Sequence, residues 1–173
     1  VKVTVNRAPV LTLWGTVVAQ RLGFSRSEAL TLGRALAGLT AQSKGQWLGI
    51  YEKRGRTESG TATAPDDLVF VNLMGRSIPA VRTPDGVRAA DKGKPADPES
   101  VKRYLGSKFG SELEAVEVAM QALADSLPPD RLEVEAYSLY EAFRPKVEKG
   151  KRGWGARGEL DLDQLARLRR GRA

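Results

Sequence analysis

Residues 15–34, GTVVAQRLGFSRSEALTLGR, restrict the fold of this chain more than any other stretch. Val18, Ala19 and Leu22 lead into Gly23, and the apolar positions resume at Phe24 and Leu32. Two helices that cross steeply need a small side chain where they touch and a residue free to turn left-handed between them. The spacing predicts one helix over 8–22 and another over 26–43, meeting at Gly23 with Ala19 at their contact. Asn6 can cap the first helix, Pro9 is tolerated in its opening turn, and Val10, Trp14, Val17, Val18 and Leu22 share its buried side. Ser25 and Glu28 form an S-x-x-E capping box for the second. Along that helix Ala29, Gly33, Ala37 and Ala41 recur every fourth residue, a stripe that lets another helix approach closely and marks this helix as central.

The rest of the chain alternates between short strand and helix signals. VKVTV at 1–5 is β-branched and alternating, QWLGIY at 46–51 reads as a strand, and 52–67 is polar and without period, hence loop. LVFVNLM at 68–74 is apolar enough for a buried strand. SIPAVR (77–82) and GVRAAD (86–91) flank a TPDG turn, a hairpin whose first strand Pro79 places at an edge. Asp97 and Pro98 open a helix ending near Gly110, and Ser111 with Glu114 caps the next, to Leu127. After Pro128 and Pro129 a third runs to Phe143, with Leu132, Ala136, Leu139, Tyr140 and Phe143 on one face. Asp161 and Gln164 cap a short terminal helix. The expected fold is α+β, mainly α. A single domain spans 1–143, with the β-hairpin region at 68–91 and helices over 98–143, and a basic extension spans 144–173.

Charge and composition narrow the chemistry. The chain has no cysteine and no histidine, so disulfides and thiolate metal sites are excluded and the usual general base and metal ligand are missing. The longest uncharged apolar stretch, Ala8–Gln20, is too short for a spanning helix, which needs about 20 residues, and no small-x-small cleavage site follows it. A cytoplasmic protein is expected. The net charge of +7 is segregated: 1–64 carry +6, 65–143 carry −5 and 144–173 carry +6. Two basic ends could grip a polyanion between them, or the basic tail could dock on the acidic middle of its own chain or a partner.

Residues 15–34 resemble the helix-turn-helix of DNA-binding proteins. The resemblance implies a regulator or architectural protein of bacterial type that binds duplex DNA, often as a homodimer, with the first turn of the second helix in the major groove. Ser25, Arg26, Ser27, Thr31 and Arg34 would then meet bases and phosphates. The hairpin around TPDG, with Arg82 and Arg88, could serve as a wing. Leu30 and the apolar continuation ALAGLTAQ fit the alternative instead: an αα-hairpin buried in a helical protein-interaction module.

In the tail, Gly153, Gly155 and Gly158 spell G-x-G-x-x-G, but EKGKR precedes them where the dinucleotide fingerprint needs a buried strand. What remains is a basic glycine-rich loop. Lys149, Lys151, Arg152 and Arg157 could hold phosphates and Trp154 could stack on a base or anchor the tail. No residue stands out as catalytic, no Walker sequence is present, and no cofactor or metal is expected. Asp66–Asp67 and the turn Asp91–Lys94 read as solvated.

Overall fold

A computed structural model of the chain describes residues 2–47, 68–91, 94–146 and 157–172. Six helices are described: α1 (Arg7–Arg21), α2 (Arg26–Trp47), α3 (Pro98–Phe109), α4 (Leu113–Asp125), α5 (Pro129–Phe143) and α6 (Leu162–Arg172). Strands β1 (Lys2–Asn6) and β6 (Arg157–Asp161) pair antiparallel, and β2 (Leu68–Leu73), β3 (Arg76–Thr83), β4 (Gly86–Asp91) and β5 (Lys94–Pro95) form an antiparallel meander in that order. The fold is α+β, mainly α.

Helix α1 is the centre of the molecule. Every residue from Pro9 to Ala19 is buried, so the helix is apolar all round rather than amphipathic. Its two internal hydroxyls are satisfied locally: Thr12 Oγ1 donates to Ala8 O at 2.9 Å and Thr16 Oγ1 to Thr12 O at 2.8 Å. Trp14 fills the core against Phe143 edge to face, and its indole N–H donates to Ala136 O at 2.9 Å.

The turn falls where the sequence places it, with Gly23 at φ +113°. The closest approach of α1 and α2 does not. A Cβ on Gly33 would lie 2.5 Å from Thr12 O and 2.6 Å from Thr16 Oγ1, and one on Gly15 would lie 3.0 Å from Gly33 Cα. The crossing therefore sits at Gly15 and Gly33. Ala19 is buried in the turn, its carbonyl accepting from Leu22 N and Phe24 N. The helix α2 also outruns its expected end, taking in Gln46 and Trp47 of the stretch read as a strand. Residues 48–51 lie outside the described residues.

Three further expectations are corrected. β2 is an edge strand, and its Leu68 and Phe70 are 38% and 65% exposed rather than buried. β3 is an inner strand, yet Pro79 is tolerated because it faces Phe70 of β2 and the β3–β4 pairing begins only at Ala80. Ser111 makes no cap for α4, since Gly110–Glu112 turn as a 3-10 segment that leads directly into the helix. Asp97 does cap α3, accepting from Glu99 N at 3.0 Å.

Candidate nucleic-acid interface

The groove-facing side of α2 is closed. Leu30 and Thr31 are 3% and 1% exposed. Thr31 Oγ1 accepts from Ala89 N at 3.1 Å, and Glu28 Oε2 accepts from Val87 N at 2.9 Å, so β4 lies along this face of the helix. The hairpin expected as a wing does stand beside the helix pair, but it covers α2 instead of extending it. Its Arg88 is 8% exposed, with a guanidinium N–H on the carbonyl of Val87.

The other residues of the motif are engaged in the fold. Ser25 completes the capping box: its amide donates to Glu28 Oε1 at 2.9 Å and its hydroxyl accepts from Glu28 N at 3.2 Å. Burial works against the charge of Glu28, but hydrogen bonds from Ser25 and Val87, with Arg88 nearby, outweigh it and hold the carboxyl below its ordinary value. Arg26 reaches Glu117 on α4 with both terminal nitrogens and Gln20 on α1 at 3.1 Å. Arg34 lies over the Tyr104 ring of α3, 4.3 Å from its centroid. Ser27 is half-buried. Arg26, Thr31 and Arg34 thus face three different elements, and the expectation that Thr31 is open to a ligand is corrected. Lys149, Lys151, Arg152 and Trp154 lie outside the described residues, as does the side chain of Arg157.

A different set of cations is brought together, by the pairing of the two ends. β1 and β6 run in register from Lys2↔Asp161 to Asn6↔Arg157. Val3, Val5 and Leu160 turn inward, so Lys2, Glu159 and Asp161 project outward by the two-residue period of a strand. On its other edge β6 takes a single bridge at Lys146, with Lys146 N on Glu159 O and Glu159 N on Lys146 O, both at 3.2 Å. A Cβ on Gly158 would stand 2.5 Å from Lys146 O, so only glycine permits this approach. β6 and α6 are accordingly part of the body: Leu160 and Leu165 are buried in the common core that also holds Phe143.

The result is a cleft of about 120 Å³ lined by Lys2, Arg144, Lys146, Glu159, Asp161 and Arg167, with Phe143, Ala142 and Gln164 completing it. Asp161 caps α6 by accepting from Asp163 N at 3.0 Å, and its other oxygen lies 3.5 Å from Arg167. The Asp163 amide first, then Arg167 and Lys2, keep its carboxyl below the ordinary value. Arg167 is also held by Gln164 Oε1 at 2.8 Å. At the rim, burial and then the neighbouring Arg144 lower the pKa of Arg7, whose Nε donates to Pro145 O at 3.0 Å. Among the described residues no ion pair neutralises Lys2, Arg144 or Lys146. Four cations face two carboxylates in this small concavity, so the cations outnumber the carboxylates by two.

Sequence reasoning placed cations at both ends of the chain but did not single out Lys2, Arg144, Lys146 or Arg167. The signal was the segregation of charge; the strand pairing that merges the ends is non-local. No group of acidic residues suited to a metal occurs among the described residues, and none of their helices is long and apolar enough to cross a membrane. Comparison with protein-family models, curated proteins and solved structures finds no match.

Proposed function

We propose that this is a cytoplasmic nucleic-acid-binding protein that holds its ligand by phosphate contacts at the β1–β6–α6 cleft, and not by insertion of α2 into a groove. The observation that carries the reading is the convergence of Lys2, Arg144, Lys146 and Arg167, from both ends of the chain, around one concavity. Lys149, Lys151, Arg152 and Trp154, which the sequence places between Lys146 and β6, lie outside the described residues and are further candidates for the same ligand. Phosphate contacts position a nucleic acid without reading its sequence. An architectural role therefore suits the cleft better than that of a sequence-specific regulator, with duplex DNA the first ligand to try.

The test is a salt titration of the full chain on duplex DNA. Affinity should fall with a log–log slope of about −0.9 for each phosphate contacted. Replacing Arg34 by Ala should leave that slope alone, because its guanidinium is seated on Tyr104. Absence of any salt-sensitive binding sinks the proposal.

A second reading, a protein-interaction module, draws on the exposed sheet face. Leu68 pairs with Val81 and Phe70 with Pro79 across β2 and β3, and Phe70 is 65% exposed. Under that reading Phe70→Ser abolishes association with a protein partner and leaves DNA titrations unchanged.

A further inference from the structure

Granted that the cleft holds nucleic acid, its size and charge specify which part of the polymer enters it. Three other concavities are wider: about 330 Å³ between α1 and α4, 430 Å³ beside the β2–β3 turn and 610 Å³ at Arg169 and Arg170. The cleft at Lys2 and Arg167 has about 120 Å³, room for a few water molecules or one phosphoryl group, and too little for a nucleoside. Ala142 and Phe143, at the end of α5, line it as well, and a phosphate flanked by sugars on both sides needs more room at its mouth than one with a single sugar. A phosphate at a chain end has a sugar on one side only.

Charge points the same way. The four cations exceed the two carboxylates by two positive charges. A phosphodiester in the backbone brings one negative charge, whereas a terminal phosphomonoester brings about −1.5 to −2 at neutral pH. Asp161 shows how an anion sits there, with one oxygen 3.5 Å from the guanidinium of Arg167. That separation is longer than a charge-assisted hydrogen bond, and a phosphoryl oxygen drawn deeper into the cleft makes the shorter contact.

We infer that the cleft receives the terminal phosphomonoester of a nucleic-acid strand. Arg167 exchanges Asp161 for the phosphoryl oxygens, and Lys2, Lys146 and Arg144 neutralise the second charge. Asp161 is then an internal competitor of the ligand. Its other oxygen keeps the cap on α6, so Asp161→Asn removes the competitor and leaves an acceptor for the Asp163 amide.

The experiment measures anisotropy of one labelled oligonucleotide, in single-stranded and duplex form, with a phosphate at the 5′ end, at the 3′ end, or at neither. One phosphorylated form should bind the full-length protein about tenfold tighter than the hydroxyl-ended form, or about 1.4 kcal/mol. That advantage should shrink as pH falls through about 6, where the phosphomonoester takes up its second proton. Arg167→Ala should erase it, Asp161→Asn should enlarge it, and Arg131→Ala, on the exposed face of α5, should leave it unchanged. Equal affinity for all three ends overturns end recognition while nucleic-acid binding stands. Competition by inorganic phosphate with no oligonucleotide binding overturns both, leaving a phosphate site only.

Discussion

The first turn of α2 and the rim of the β1–β6 cleft are built from the same kinds of residue, and they end in opposite states. On α2 most of the polar groups already have partners: Ser25 and Glu28 each other, Thr31 the Ala89 amide, Arg26 Glu117, and Arg34, though exposed, the ring of Tyr104. At the cleft, Lys2, Arg144 and Lys146 form no close ion pair among the described residues, although Lys2 acts on Asp161 at longer range. Local spacing decides whether two helices form, but the elements that return to cover them decide whether their polar face is available. A recognition helix needs a bare face; α2 has been roofed by a sheet.

Gly33 offers the most severe challenge to this contrast. A methyl group there meets the Thr12 carbonyl at 2.5 Å, and backbone cannot step aside. Gly33→Ala should lower stability by about 3 kcal/mol in a denaturant titration, through overpacking at the α1–α2 crossing. A loss below about 1 kcal/mol would mean the helices are loosely apposed, as in a mobile DNA-reading pair. Thr31→Val keeps the shape of the side chain and strands the buried Ala89 amide. It should cost about 2 kcal/mol of stability and nothing in DNA affinity; the reverse pattern restores α2 as the contact surface.

The cleft must give the mirror image. Lys146→Glu, at an exposed position, should weaken DNA binding about tenfold, or about 1.4 kcal/mol, with a melting temperature within a few degrees of the parent's. Glu28→Gln is the gentlest probe, at about 1 kcal/mol near neutral pH. The folded carboxyl titrates below its ordinary value, so its contribution is present above that value and disappears as pH falls through the folded one. The difference between parent and Gln variant should therefore be largest near neutral pH and shrink in acid, which unfolding curves at several pH values would show.

Much of the architecture could be read from the sequence because it is set locally. Gly23, the Ser25–Glu28 capping box, Asp97 with Pro98, the face of α5 from Leu132 to Phe143 and the TPDG turn are short-range signals, and each lies where the sequence puts it. What escaped was set at a distance. The sheet over α2, the place of β2 at an edge and the pairing of Val3 with Leu160 depend on partners that no local window contains. The candidate site belongs to this second class. Its cations were visible as two basic ends, but their meeting was not, because charge along a sequence carries no information about pairing in space.

The β1–β6 pairing has a bearing on time as well as on shape. Lys2 is synthesised long before its cross-strand neighbour Asp161. Chains fold from the N-terminal side while they are synthesised, and long-range strand pairs are the slowest to form. The helices α1 and α2 can pack before β6 exists, yet the cleft cannot. A nascent or prematurely terminated chain therefore carries the folded-looking helix pair without the cleft, and on the proposed function only copies whose synthesis has run through β6 can engage nucleic acid.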